Sequence, residues 1–171
     1  MKKYFLLIVF GSLLFSACDK KPEFEEENSA TVAMAGEWYV HYDHKDYGAD
    51  PFGVGLTPVM TYNTSDNVAT HIWITDGGSF WNYLVKIPID LSTNTFGGVD
   101  TLISAATDYA IKVIVENGSI TKNAVLLPSG TMADSIYFDI FFEDLEGATG
   151  IPSDRLNVSG YRKSGFVEDE P

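Results

Sequence analysis

The strongest constraint in this chain is a succession of short segments that alternate apolar and polar side chains, set apart by turn-forming residues. In Glu37–Asp43, Trp38, Val40 and Tyr42 share one parity, while Tyr39, His41 and Asp43 share the other. Ser135–Glu143 repeats the pattern, with Ile136, Phe138, Ile140 and Phe142 opposed to Tyr137, Asp139, Phe141 and Glu143. Tyr109, Ile111, Val113 and Val115 alternate with Lys112, Ile114 and Glu116. A period of two is the signature of a strand with one face turned to a core. Further strands are expected at Val54–Tyr62, Thr70–Thr75, Ser79–Ile89, Ser119–Leu127 and Leu156–Phe166, with a short one near Phe96–Leu102. Asp76-Gly77 and Asn117-Gly118 predict two-residue hairpins. Residues 35–166 contain no helical stretch of convincing length and no internal repeat.

Strands joined mainly by tight turns make an antiparallel meander, whose edges must be closed or covered. The expected fold is all-β: an antiparallel, up-and-down barrel of about eight strands, wide enough to be filled by side chains or to hold one small ligand. A β-sandwich is the alternative. Gly36-Glu37-Trp38-Tyr39 resembles the Gly-x-Trp opening of lipocalins, in which a Trp plugs one barrel end beneath a basic side chain from near the C-terminus. Arg162, in Gly160-Tyr161-Arg162-Lys163, is the expected cap. A closed meander makes its first and last strands neighbours, so Trp38 and Arg162 should lie within about 6 Å, in cation–π reach.

Before residue 35 the composition changes. Lys2 and Lys3 precede an apolar run, Tyr4 to Phe15, that is too short to span a bilayer as a helix. Leu14-Phe15-Ser16-Ala17-Cys18 resembles a bacterial lipobox. Residues 1–17 therefore read as a signal peptide and Cys18 as the lipidated residue, with several acyl chains giving a stable hold on a membrane. Residues 18–34 read as an acidic tether that makes no core contact. The stretch after Cys18 resembles the surface-export signals of Bacteroidota lipoproteins. It implies an outer-membrane protein exposed at the cell surface, with a periplasm-facing anchor as the alternative. Residues 35–166 form the barrel domain and 167–171 an acidic tail.

Charge narrows the partners. Twenty-four acidic against 11 basic residues give a formal net charge of −13, which repels phosphate backbones and excludes nucleic acid as a partner. A single cysteine excludes a disulfide framework and a Cys-rich zinc site. No protein partner is specified.

Catalytic motifs are sparse. Gly77-Gly78-Ser79-Phe80-Trp81 approaches a nucleophile elbow but lacks its last glycine and a following helix. Ser119-Ile120-Thr121-Lys122 has Ser–Lys spacing, but residues three apart on a strand point to opposite faces. His41-Tyr42-Asp43-His44, with Asp46 or Asp50, is at best a loose ligand set, and Asp46–Asp50 lacks the rest of a calcium loop. His71 stands alone. No metal, no cofactor and no catalytic residue are assigned. Aromatic side chains are what the body supplies: Trp73, Trp81, Tyr83, Phe138 and Phe142 are the candidate lining of a site for a small apolar or amphipathic ligand.

The segments Ala35–Val40, Pro51–Gly55, Met60–Thr64, Ile72-Trp73-Ile74 and Phe80-Trp81 resemble the Bacteroidota lipoprotein family labelled lipid-binding putative hydrolase. So do Lys86 with Pro88, Thr95–Gly98, Pro128-Ser129-Gly130, Asp134-Ser135-Ile136 and Ser159–Arg162. The resemblance implies a lipocalin-like barrel, and the aromatic strand faces make a lipid or fatty acid held in that barrel the expected ligand. It brings no catalytic residues, so a hydrolase of lipid-like esters is an alternative resting on the label alone. A surface module for carbohydrate or protein, with a filled core, is a second alternative.

Overall fold

A computed structural model describes residues 28–171; the leader, Cys18 and the tether as far as residue 27 lie outside the described residues. Among the described residues nine strands form one antiparallel sheet: β1 (Gly36–Asp43), β2 (Thr57–Asn63), β3 (His71–Thr75), β4 (Leu84–Asp90), β5 (Thr95–Phe96), β6 (Leu102–Ile103), β7 (Lys112–Leu126), β8 (Met132–Phe142) and β9 (Leu156–Arg162). Each of β1 to β4 pairs with its successor, β4 pairs with β5, and β5 pairs with β7. The circuit runs on through β8 and β9 and returns to β1. Eight strands thus close a barrel, and β6 pairs with β7 on the same edge as β5, nearer the start of β7. A sandwich would have left β1 and β9 apart; here they pair over six residues, Trp38 opposite Arg162 to Asp43 opposite Asn157.

The expected parities define inside and outside. Trp38, Val40 and Tyr42 of β1 are fully buried, as are Phe138, Ile140 and Phe142 of β8, with Ile136 beside them. Together with Ile72, Ile74, Tyr83, Val85, Ile87, Val113, Val115 and Val158 they make one contiguous cluster. The large rings of Trp38, Tyr42, Tyr83, Phe138 and Phe142 occupy the interior, which side chains fill as an eight-stranded barrel allows.

Both hairpin expectations need correction. Asn117-Gly118 is no turn: it is a bulge inside the fifteen-residue β7, where the register with β8 slips between Glu116 and Ser119. Asn117 adopts φ of 56°, and a Cβ on Gly118 would overlap the Phe96 ring of β5. A dipeptide that tolerates positive φ suits a bulge as well as a turn. Asp76-Gly77 opens an eight-residue loop rather than a two-residue one, because the buried Asp76 carboxylate gathers five backbone N–H groups, from Gly78, Phe80, Trp81, Asn82 and Tyr83. That capture delays β4 from Ser79 to Leu84.

Other boundaries move too. The strand expected over Phe96–Leu102 is two short strands, β5 and β6. Residues 28–34 do not behave as a free tether: Met34 belongs to the core and Thr31 is buried, its hydroxyl donating to Asn63. The acidic tail is likewise fastened, since the Asp169 carboxylate accepts from Ser129 and Ser164 and the Tyr39 hydroxyl donates to Glu170. A short helix, α1 (Leu145–Thr149), fills the β8–β9 connection and buries Leu145.

Candidate functional site

The antiparallel order gives the barrel two unlike ends. At the first lie residues 28–35, the β7–β8 turn and the C-terminal tail. There the Arg162 guanidinium stands 4.5 Å over the Trp38 ring. It donates to the Ala35 carbonyl and, through Nε at 3.2 Å, to Asp134. Gly36 leaves the room, since a Cβ there would strike the guanidinium. Beneath, Trp38 Nε1 donates to the Thr61 hydroxyl at 2.9 Å, which donates in turn to the Met34 carbonyl at 2.7 Å. Trp38 is fully buried beneath this cap, so the ring closes this end of the core.

The opposite end is the mouth, rimmed by the connections β1–β2, β3–β4, β6–β7 and β8–β9. Because Asp76 pins the β3–β4 loop, Phe80 and Trp81 are turned into a cluster of rings above the core. Phe80 packs on Tyr42 at 4.5 Å and Phe52 on Phe80 at 5.4 Å. Trp81 lies flat on Phe142, 5.0 Å between centroids and 6° between planes. The indole N–H of Trp81 donates to Asp144 at 2.8 Å, and the Tyr109 hydroxyl donates to the same carboxylate. One aspartate therefore fixes two aromatic side chains from two loops. Burial, then the hydrogen bond to Asp144, pushes the Tyr109 phenol up to about 12, so it stays a neutral donor at physiological pH.

Between these loops opens a cleft of about 530 Å³, lined by Phe80, Trp81, Asn82, Thr107, Asp108 and Tyr109. That is within the range of small-ligand sites. Its walls are rings and its rim is polar, with Asp108 lining it and Asp144 behind. Below it, the Tyr42 and Tyr83 hydroxyls meet at 3.3 Å in full burial, and desolvation drives both phenols well above their ordinary pKa.

Of the five aromatic candidates, only Trp81 borders this cleft. Tyr83, Phe138 and Phe142 are sealed in the core. Trp73 sits on β3 between the buried Ile72 and Ile74 and is half-buried on the outer wall. Phe52, Phe80 and Tyr109 were missed by reading the sequence; the Phe80-Trp81 pair immediately after a turn signal was the available clue.

The polar clusters serve structure. His44 is buried, its Nε2 donating to Asp154 at 2.8–2.9 Å while Nδ1 accepts from the Asp46 and Tyr47 N–H groups, so neither ring nitrogen keeps a free lone pair for a metal. The Asp50 carboxylate accepts from Val54 and Gly55. His41 is exposed and His71 bonds Thr70. Lys122 is engaged by the Ala33 carbonyl and Asp134 rather than by Ser119. Among the described residues no serine or cysteine is hydrogen-bonded to a histidine, and no cluster of three metal-ligating side chains occurs.

No curated protein matches the chain. A family model described as lipid-binding putative hydrolase matches residues 23–167, the whole barrel with its flanking segments, and the chain belongs to that family.

Proposed function

We propose that this protein is a lipid-anchored binding protein of the outer membrane, exposed at the cell surface, and that it takes the apolar part of a neutral amphiphile at the aromatic mouth of the barrel. The observation that carries the reading is the contrast between a filled interior and a 530 Å³ cleft walled by Phe80, Trp81 and Tyr109. A ligand enclosed deep in the barrel would have to displace fully buried rings. A chain laid across the mouth displaces only water, and its polar end meets Asn82, Thr107 and the Tyr109–Asp144 rim. Two aspartates at that rim favour a neutral head such as the glycerol of a monoacylglycerol over a carboxylate. The anchor reading rests on Cys18 and the leader before it. Residues 28–35 lie at the plug, so a tether from Cys18 reaches the barrel at the end opposite the mouth and leaves the mouth facing away from the membrane.

Two measurements test this. Calorimetric titration with monododecanoylglycerol should give saturable binding, weakened about tenfold by Trp81→Ala, the loss expected for one aromatic contact. Unchanged affinity in that variant would remove the mouth as the site. Separately, Cys18→Ala should shift the protein from the membrane to the soluble fraction while its circular dichroism stays the same. Retention on the membrane would refute the anchor without touching the binding site.

A further inference from the structure

A second cleft opens in the wall of the barrel. β4 and β7 are joined only through the two residues of β5, so beyond it the strands splay and residues 97–105 bridge the gap. Gly97 N–H donates to the Pro88 carbonyl at 2.9 Å, Gly98 N–H to Val115 at 2.8 Å and Ala105 N–H to Leu84 at 2.7 Å. Gly98 contributes no side chain; a Cβ there would meet only the Pro88 ring, at 3.9 Å. The space left is a cleft of about 320 Å³. Pro88 and Leu102 form its apolar wall above the buried Ile87, and His71, Lys86 and Asp100 its polar border.

Lys86 is unusual in this acidic chain. Lys45, Lys112, Lys122, Arg155, Arg162 and Lys163 each have a carboxylate within 4.0 Å. Among the described residues Lys86 is the one lysine or arginine without such a partner. Asp100 borders the same cleft from an exposed position and makes no ion pair with it. Asp66 feels the Lys86 charge without forming an ion pair with it, so the ammonium at the edge of this apolar slot complements one kind of molecule, an anionic head carrying a hydrocarbon chain.

We propose that the seam cleft binds a single-chain fatty carboxylate, its head on Lys86 Nζ with His71 beside it and its first methylenes along Pro88 and Leu102. The proposal rests on the lipid-binding reading but uses a site distinct from the mouth, whose lining holds Asp108 and no cation, whereas the seam sets Lys86 against Asp100. It thus gives the protein two sites sorted by head-group charge.

The tryptophans separate the two sites. Trp73 is the cross-strand partner of Lys86 and shares its face, whereas Trp81 belongs to the mouth. A dodecanoate brominated next to its carboxylate, which quenches indole at short range, should dim Trp73, the neighbour of Lys86, and Trp73→Phe should remove that quenching. Lys86→Gln should weaken dodecanoate binding by about three- to fivefold, as loss of one exposed ion pair allows, while leaving dodecanol binding unchanged. Gly98→Leu should fill the slot and abolish the Trp73 response. Quenching that survives Trp73→Phe, or dodecanoate affinity indifferent to both Lys86→Gln and Gly98→Leu, would overturn the seam site. Failure of the mouth shows instead in Trp81 and the monoacylglycerol titration, so the two readings fall separately.

Discussion

Trp38 and Arg162 sit at the first and last strands, and each reaches its role by a different physics. The Trp38 ring is fully buried and its N–H is satisfied, so Trp38→Ala empties a large core site and should cost about 3–5 kcal/mol in urea denaturation. Arg162→Lys keeps the charge but loses the planar fork that covers the ring and reaches both Ala35 and Asp134. Its cost should be smaller, about 0.5–2 kcal/mol. An equal loss from both substitutions would contradict this division. The pair was legible in the sequence because it needs only a local motif and the rule that a closed meander joins its ends. Tyr109 was not legible. Its value comes from sharing Asp144 with Trp81 across 35 and 63 residues of chain, and no local pattern encodes that meeting.

Among the elements, parity was the reliable signal and turn chemistry the unreliable one. The inward set of β1 and β8 follows from alternation, since one-residue slips would have buried Asp139 and Glu143 in place of Phe138 and Phe142. Asn117-Gly118, by contrast, announces only where positive φ is cheap. Whether the chain then reverses or bulges depends on its partners, and here Phe96 from β5 packs against the backbone at the bulge. Phe96 is held in turn against Phe138, 5.7 Å between centroids, so it has little freedom to retreat. Gly118→Ala should therefore destabilise the barrel by about 1–3 kcal/mol, the usual penalty of overpacking, visible as a lowered thermal midpoint. An unchanged midpoint would mean that the β5–β7 junction yields easily. The same junction, only two residues wide, is what lets β4 and β7 splay and opens the seam beside Lys86.

For the whole molecule, the sequence implied a barrel but could not say whether it was full, because volume is the outcome of packing every inward side chain at once. Tyr83, Phe138 and Phe142 read equally well as cavity lining or as filling; the structure makes them filling, and moves the aromatic site to the loops at the mouth. The Trp38–Arg162 plug at one end and the aromatic cleft at the other make the two ends of the barrel unlike. The most direct measurement of that arrangement is fluorescence quenching by a monoacylglycerol carrying a brominated acyl chain, read in the parent protein and in single Trp→Phe variants. A ligand at the mouth gives saturable quenching that disappears in Trp81→Phe and persists in Trp38→Phe. Quenching that persists in Trp81→Phe and disappears in Trp38→Phe would place the ligand inside the barrel and contradict a site at the mouth.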